Sequence, residues 1–325
     1  MRMFDLKAQL QDAKLVGIAG HVRPDGDCVG SCLGLGLYLK EYFPQLKTRI
    51  YLEDFSDSFR FLKGSEEIVS DCSKDEEYDV FFALDCGDLA RLGNAAKYFR
   101  SAKKTICIDH HISNISFADI NYIEPEASST SELVYTLLEE EKVTREMAEA
   151  IYMGIVHDTG VFQYSCTSSK TMNIAGKLMD TGIDFSRIVE NTYYVKNYVQ
   201  QQILGRALLE SIMILDKQVI FSVIRQKDMK FYGVEPKDLD GIVQQLRNTK
   251  GVEAAIFLYE VGPQQFKVSM RSANKIDVSR IAGYFGGGGH VKAAGCTMQG
   301  TVYDVVNNLV GHMYRQLKEW ETKEG

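Results

Sequence analysis

The sequence predicts an α/β protein with two domains, and three observations support this prediction. Short apolar segments alternate with helix-like segments through the first half of the chain, as in a mostly parallel sheet with helices on both faces. Beyond about residue 216 strand-like segments predominate, which indicates a smaller α+β domain. The chain has 325 residues, enough for two hydrophobic cores. We therefore expect a first domain at 1–195, a helical linker at 196–215 and a second domain at 216–325.

The elements of the first domain follow from apolar runs and helical periodicity. Short runs rich in apolar and β-branched residues predict buried strands, which span residues 14–20, 48–52, 78–85 and 103–111. Helices are predicted where apolar residues recur on one face or where Ser or Thr precedes the segment, and these span residues 29–43, 94–102, 128–141, 144–160, 169–182 and 184–194. A further helix at 197–215 contains no proline and would connect the domains.

The second domain is predicted from strand-like segments interrupted by helices. The strand-like segments are QVIFSVIR, VEAAIFLYEV, QFKVSMRSA and AAGCTM. The helices are PKDLDGIVQQLRN, DVSRIAGYF and a terminal helix from Asp304 onward. This mixture predicts an α+β fold.

The composition excludes several classes of protein. A net charge of −7 argues against a basic surface for extended duplex nucleic acid, but not against a short anionic substrate. The seven cysteines include no C-x-x-C pair, which favours free thiols in a reducing cytoplasm; Cys28 and Cys32, one helical turn apart, leave a zinc pair open. The first segment, MRMFDLKAQLQDAK, does not have the apolar stretch expected of a signal peptide, and no run reaches the ~18 apolar residues of a membrane span. We expect a soluble cytoplasmic protein without a membrane partner.

Histidines and aspartates follow three of the predicted strands. They are His21, Asp25 and Asp27 after the first strand, Asp85 after the third, and Asp109, His110 and His111 after the fourth. Asp158 follows in the helical segment GIVHDTG. Any one of them alone is better explained as a turn residue or a buried core histidine. In parallel sheets, however, the carboxyl ends of the strands lie along one crevice, where ligands bind. We therefore expect these side chains to meet.

The donors in this set indicate the kind of metal. Four carboxylates and two imidazoles, from His21, Asp25, Asp27, Asp85, His110 and Asp158, suit Mn²⁺ or Mg²⁺ better than a structural zinc ion. Six groups exceed what one catalytic ion needs, and they fit two ions about 3.5–4 Å apart with a bridging carboxylate. The sequence thus predicts a two-metal centre of the type that hydrolyses phosphate esters.

The motifs resemble a known family in their order and approximate spacing. HVRPDGDCVGS, the Asp of ALDCGD, the DHH at 109–111 and GIVHDTG resemble the four N-terminal motifs of the DHH phosphoesterase superfamily. MRSANKIDVSRIAGYFGGGGHVKAAG (270–295) resembles the DHH-associated C-terminal domain. EASSTSELVY and GDLARLG are similar to the stand-alone nanoRNase branch. The resemblance spans nearly the whole chain.

This resemblance implies a role for each candidate residue. One ion would be held by His21, Asp25 and Asp85, and the second by Asp27, Asp85, His110 and Asp158, with Asp85 as the bridge. Asp109 would orient the cluster, and His111 would act on the scissile phosphate or the leaving group, although a buried partner of Asp109 is an alternative. Substrate would be bound across the interdomain cleft by Arg271, Ser272, Gly287, Gly288, Gly289 and His290. From the residues alone, the glycine run could equally be a flexible link.

The resemblance also implies substrates and cofactors. Two divalent ions, Mn²⁺ first and Mg²⁺ or Co²⁺ as alternatives, would support hydrolysis of short single-stranded RNA or DNA oligonucleotides to mononucleotides. They would also support hydrolysis of 3′-phosphoadenosine 5′-phosphate (pAp) to AMP. Alternatives are a phosphodiesterase of cyclic or linear dinucleotides, a family II pyrophosphatase, a RecJ-type exonuclease and an inactive nucleotide sensor. A homodimer, the role of Arg23, and base stacking by Tyr193 and Tyr194, as against packing, are left open.

Overall fold

The structure is a computed structural model that describes residues 4–324, with the side chains of residues 4–322. The chain divides into two compact units, and the division falls between Val195 and Lys196. Each unit contains a sheet of its own. Among the described residues, no helix is both long enough and apolar enough to cross a membrane.

The first unit contains a five-stranded sheet in which every neighbouring pair is parallel. Its strands are β1 (Leu15–Ala19), β2 (Lys47–Tyr51), β3 (Val80–Leu84), β4 (Thr105–Asp109) and β5 (Ile120–Ile123). The order across the sheet is β2-β1-β3-β4-β5. The sequence does not predict β5, because its four half-buried residues at the edge of the sheet form no clear apolar run.

Helices cover both faces of this sheet, which confirms the predicted fold class. They are α1 (Leu6–Gln9), α2 (Gly26–Tyr42), α3 (Ala96–Ser101), α4 (Thr130–Leu137), α5 (Arg145–Asp158), α6 (Ser169–Asp180) and α7 (Phe185–Val189). Short 3₁₀ segments lie at Asp57–Phe59, Ser65–Glu67, Leu89–Ala95 and Glu140–Lys142, and a π-helical turn covers Glu190–Tyr194. One core packs α2, α4 and α5 on the sheet, and a second packs α3 on the opposite face.

Helices α2 and α5 pack unusually closely, and this contact positions the functional residues. Gly26, Gly30 and Gly34 recur every four residues and lie on one face of α2. A Cβ atom at Gly30 would lie 2.4 Å from the carbonyl oxygen of Ala150, so only glycine permits this approach. Gly26 lies against His157, which brings the start of α2 beside the end of α5.

The second unit is an α+β domain with a mixed six-stranded sheet, as predicted. Its strands are β6 (Ile212–Ile214), β7 (Val219–Ile224), β8 (Ala254–Gly262), β9 (Gln265–Ser272), β10 (Gly288–His290) and β11 (Ala293–Gln299), in the order β10-β11-β9-β8-β7-β6. Its helices are α8 (Tyr198–Leu209), α9 (Gln226–Tyr232), α10 (Ile242–Arg247), α11 (Val278–Tyr284) and α12 (Val302–Glu324), with a 3₁₀ segment at Pro236–Leu239.

The structure corrects one prediction in this unit and decides one alternative that the sequence left open. The helix predicted at 197–215 ends at Leu209, because Ile212–Ile214 pairs with β7 and completes the sheet. The flexible link, which the sequence left open as an alternative for the glycine run, is not observed, because Gly288–His290 forms the edge strand β10 against β11.

Candidate metal centre

The carboxyl ends of three adjacent strands bring together the residues expected to bind metal. Because β1, β3 and β4 are neighbours, His21, Asp85 and Asp109 follow one another along the same edge of the sheet. Asp85 has a φ of 55°, in the left-handed region that non-glycine residues seldom adopt. Such backbone strain is concentrated at functional sites, where surrounding contacts hold it.

Asp25 and Asp27 lie at the start of α2 and not in a free turn. The sequence places both residues before a helix at 29–43, but this helix begins at Gly26, three residues earlier than predicted. Asp25 is the N-cap, and its Oδ1 accepts hydrogen bonds from the backbone N–H groups of Asp27 and Cys28 at 3.2 and 3.1 Å. The cap does not remove Asp25 from the cluster, since the same Oδ1 lies 3.6 Å from His21 Nε2.

Asp27, His110 and Asp158 form a second group on the other side of Asp85. His110 Nε2 lies 2.9 Å from Asp158 Oδ2 and 4.0 Å from Asp27 Oδ2. The buried carboxylate of Asp27 accepts the backbone N–H groups of Thr130 and Ser131 at 2.7 and 2.8 Å. The N-terminus of α4 thus orients Asp27, since its orphan N–H groups favour a negative charge.

Asp85 lies between the two groups. Its Oδ2 is 3.4 Å from His21 Nε2, and its Oδ1 is 3.7 Å from His110 Nε2. The hydroxyl of Thr130 donates a hydrogen bond to the same Oδ1 at 3.2 Å. One carboxylate therefore faces a different imidazole with each of its oxygens, which is the geometry a bridging ligand needs.

Asp109 and His111 form a linked pair beside this cluster. The fully buried Asp109 carboxylate lies 2.7 Å from His111 Nδ1, and its Oδ2 accepts a hydrogen bond from Asn114 Nδ2 at 2.6 Å. Burial would raise the pKa of Asp109, but the hydrogen bond from His111 outweighs it and lowers the pKa. Burial likewise opposes protonation of His111, yet the bond to Asp109 raises its pKa. The pair favours a charged imidazolium held by a carboxylate.

The electrostatics of the cluster favour cation binding. Burial first, and then the charges of Asp85 and Asp158, raise the pKa of Asp27 well above its usual value. Burial also raises the pKa of Asp158. Burial alone would lower the pKa of His21, but interactions with Cys28 and two carboxylates raise it to about 12. Crowded carboxylates that hold protons or pair with imidazolium groups in this way are suited to exchange those protons for a divalent cation.

The donor atoms are close enough to share ions. Three sets have ligand atoms within 4.8 Å of one another: His21, Cys28 and Asp85; Asp85, His110 and His111; and Asp27, His110 and Asp158. Their oxygen and nitrogen donors fit Mn²⁺ or Mg²⁺. Cys28 is an additional donor that the sequence interpretation linked to Cys32 instead; in the structure its sulfur lies with His21 and Asp85.

Sequence reasoning missed three residues that orient the cluster: Thr130, Ser131 and Asn114. The signal for the first two was the run SSTSE, whose Ser and Thr residues are typical of a helix start and are all buried here. Asn114 lies in an irregular segment after β4, where no periodicity marks it. Arg23, left open by the sequence, has a φ of 56°, and its backbone N–H donates to Glu53 at 3.0 Å.

The predicted substrate-binding residues lie together in the second unit. In the antiparallel register, His290 of β10 pairs with Ala293 of β11, which pairs with Arg271 of β9. Directly opposed residues share a face, so Arg271 and His290 flank Ala293 on one side of the sheet. A Cβ atom at Gly289, where φ is +140°, would lie 2.4 Å from the Ala293 carbonyl oxygen.

The other members of this group support that arrangement. Gly287 lies against Gly295, and Gly288 pairs with Gly295 in the register. Ser272 ends β9, and its hydroxyl donates a hydrogen bond to Val291 at 3.4 Å. The glycines therefore allow a narrow hairpin at the edge of the sheet, and they leave the backbone of β10 exposed.

Comparison with known proteins gives related chains across nearly the whole length. Residues 15–155 match the DHH family N-terminal domain, and residues 216–319 match the DHHA1 domain. The chain is 27% identical over 306 residues to the bifunctional oligoribonuclease and PAP phosphatase NrnA of Bacillus subtilis, covering 93% of this chain and 94% of that protein. It is 30% identical over 291 residues to the protein of the same name from Thermus thermophilus, covering 88% and 85%.

A solved structure agrees with the fold. An exopolyphosphatase-related protein from Bacteroides fragilis has a TM-score of 0.85 and 27% sequence identity, over 97% of this chain and 95% of that chain. His21, Asp85 and the Asp109–His111 motif all lie within the residues that match the DHH family N-terminal domain. This chain belongs to the DHH family.

Proposed function

We propose that this protein is a metal-dependent phosphoesterase that hydrolyses short oligonucleotides to mononucleotides and pAp to AMP. The observation that carries the proposal is the position of Asp85, whose two oxygens lie 3.4 and 3.7 Å from two different imidazoles. The names of the relatives over most of the chain support the choice of substrates. A single water-activating carboxylate would not require so many converging donors.

We propose that His21, Asp25 and Asp85 hold one divalent cation, and that Asp27, Asp85, His110 and Asp158 hold a second. Mn²⁺ is the first choice, with Mg²⁺ and Co²⁺ as alternatives, because carboxylate oxygen dominates the donor set. Such cations lower the pKa of a water from ~15.7 towards ~7 and neutralise charge on phosphate oxygens.

The chain's own residues then orient and protonate the reacting groups. His111 donates its Nδ1 hydrogen to Asp109, which leaves Nε2 directed away from the carboxylate and available to the leaving-group oxygen. Against the effect of burial, the hydrogen bond to Asp109 raises the pKa of His111, which favours the protonated ring that a general acid requires. The Thr130 hydroxyl holds Asp85, and the backbone N–H at the N-terminus of α4 holds Asp27, so that neither carboxylate rotates away from the cluster.

In the second unit, we propose that Arg271, Ser272, the glycines 287–289 and His290 bind the substrate. A guanidinium can bind a phosphate through two parallel hydrogen bonds. Exposed N–H groups of a glycine-rich edge can also approach an anion closely. The alignment of Arg271 and His290 across Ala293 supports a shared role in binding one anionic group.

A product assay with Mn²⁺ tests the proposal. It compares pAp, an RNA dinucleotide, a pentanucleotide, a cyclic dinucleotide, a long oligonucleotide and pyrophosphate under one set of conditions. We expect mononucleotides from the short RNAs and AMP from pAp, with little turnover of the others. Preference for the cyclic dinucleotide would assign a second-messenger phosphodiesterase, and preference for pyrophosphate or long strands would refute the proposal. Tight nucleotide binding without turnover would identify a sensor.

A matched pair of variants tests the role of the metal cluster. Asp85→Asn removes one charge at the carboxyl end of β3, whereas Asp79→Asn removes one just before the opposite end of the same strand. We expect the first variant to lose activity while it keeps its circular dichroism spectrum, and the second to retain activity. An active Asp85→Asn protein would contradict the metal assignment.

A further inference from the structure

A π-helical turn at the end of the first unit contacts α5, the helix that ends at Asp158. It covers Glu190–Tyr194 and directly follows α7. Turns of this kind are rare and often mark functional positions. Thr192 Oγ1 lies 3.0 Å from the ring nitrogen Nε2 of His157, in the last turn of α5. The ring of Tyr193 packs edge-on against the same imidazole, with centroids 5.6 Å apart.

A second tyrosine, Tyr164, lies next to Tyr193. Tyr164 packs its ring against Gly160, where a Cβ atom would lie 2.4 Å from the ring. Gly160 has a φ of +56°, so both its conformation and its neighbour favour glycine. The hydroxyl groups of Tyr164 and Tyr193 lie 3.5 Å apart. The two side chains therefore meet at their hydroxyl ends, and they are here called the tyrosine pair.

The tyrosine pair is anchored on both sides of a predicted metal ligand. Tyr193 rests on His157, Tyr164 rests on Gly160, and Asp158 lies between these two anchors in the chain. Tyr164 is 36% exposed and Tyr193 is half-buried, so both residues are partly open to solvent.

We infer that Tyr164 and Tyr193 form a stacking site for the nucleobase of a nucleotide whose phosphate lies at the metal centre. Aromatic side chains beside a phosphate site offer a flat surface that any base can cover, which suits a substrate of variable sequence. Stacking of one base on such a surface contributes about 1–3 kcal/mol. This inference rests on the proposed function, since it assumes a nucleotide substrate.

A pair of substrates that differ only in the base tests the inference. One is pAp and the other is the same ribose 3′,5′-bisphosphate without adenine. Tyr164→Leu and Tyr193→Leu should each lower kcat/KM for pAp, by roughly 5- to 150-fold for a full loss of stacking. The base-free substrate should be hydrolysed at the parental rate. Tyr164→Phe and Tyr193→Phe keep a ring and should behave like the parent on both substrates.

The outcomes separate this inference from the proposed function. Equal losses on the two substrates would mean that the tyrosines act through Asp158, and no loss on pAp would mean that the base does not touch them; either result overturns the inference. Should the parent hydrolyse neither substrate, the proposed function fails, and binding decides the inference alone. In a pAp analogue that carries 2-aminopurine in place of adenine, the fluorescence of the base should be quenched on binding to the parent but not on binding to the Leu variants. Absence of binding or of quenching by the parent would overturn it.

Discussion

Replacing Gly26 with alanine should disable the metal centre without touching any of its proposed ligands. A Cβ atom at this position would lie 2.2 Å from Cγ of His157, with two more atoms of that side chain within 2.7 Å. The imidazole cannot simply turn away. Phe59 packs on it edge-on at 5.1 Å, Tyr193 at 5.6 Å, and Thr192 lies 3.0 Å from its Nε2.

The size of the effect follows from the distance. Ordinary contacts of a Cβ atom begin at 3.4 Å, so one side must move by about 1.2 Å. Either α2 moves, with Asp25 and Asp27, or α5 moves at His157 and carries Asp158. Overpacking of this kind costs about 1–3 kcal/mol of folding stability. A displacement of about 1 Å in a catalytic group reduces turnover about 100-fold.

The assay compares two glycines of the same helix. Gly36→Ala also overpacks, at 2.5 Å, but against the flexible end of Ile50 and away from the cluster. We expect similar losses of stability in the two variants, by urea unfolding, but a roughly 100-fold lower kcat/KM only for Gly26→Ala. His157→Ala in the Gly26→Ala background should restore part of the activity. Parental activity and Mn²⁺ affinity in Gly26→Ala would refute the reasoning.

Three further predictions concern charge and hydrogen bonding. The raised pKa of Asp158 means that its ionised form is disfavoured in the fold, so Asp158→Asn should unfold no more easily than the parent in EDTA. Mn²⁺ at 100 times its Kd should stabilise the parent by about 2.7 kcal/mol, and the variant should lose most of this stabilisation, as measured by thermal unfolding. Thr130→Val removes the donor to Asp85 and should weaken Mn²⁺ binding about fivefold, by calorimetry; unchanged affinity would contradict its role. The Leu15 N–H first, and other donors after it, lower the pKa of Asp79 from 3.8 to about 2, so its contribution to stability is present above pH 3.8 and lost as pH falls through 2. Asp79→Asn should therefore lower the free energy of unfolding by about 1–2 kcal/mol at pH 7, measured with urea. This difference between parent and variant should shrink in acid, and a constant difference would contradict the prediction.

The sequence predicts the strand ends well because each combines two independent signals. An apolar run long enough for a buried strand precedes His21, Asp85 and Asp109, and a polar residue with donor chemistry ends each run. The parallel order then requires these ends to lie on one edge of the sheet. The same argument covers His110, which follows β4, but not Asp158 at the end of α5, and no local pattern indicates that these two side chains lie 2.9 Å apart.

Features that depend on contacts distant in sequence could not be predicted. Asp27 is held by Thr130 and Ser131, which lie more than one hundred residues away in the chain. The start of α2 was predicted late because HVRPDGD also matches a turn, and only the cap at Asp25 distinguishes the two conformations. The strand β10 was missed because glycine has low strand propensity, and pairing with β11 overrides that preference.

The construction of the cluster explains why so many residues around it are polar and buried. The cluster places four aspartates and two histidines at one edge of a sheet. The carboxylates repel one another unless they hold protons or pair with the imidazoles, and burial of these charges opposes folding. The protein offsets this cost locally: the N-terminus of α4 donates to Asp27, a cap interaction holds Asp25, and Thr130 holds Asp85. The bonded oxygens of Asp25, Asp85 and Asp27 also face inward, at 3.6, 3.7 and 4.0 Å from the imidazole nitrogens of His21 and His110. Divalent cations would bind the inward-facing oxygens and relieve the remaining repulsion, so folding energy and catalysis depend on the same charges.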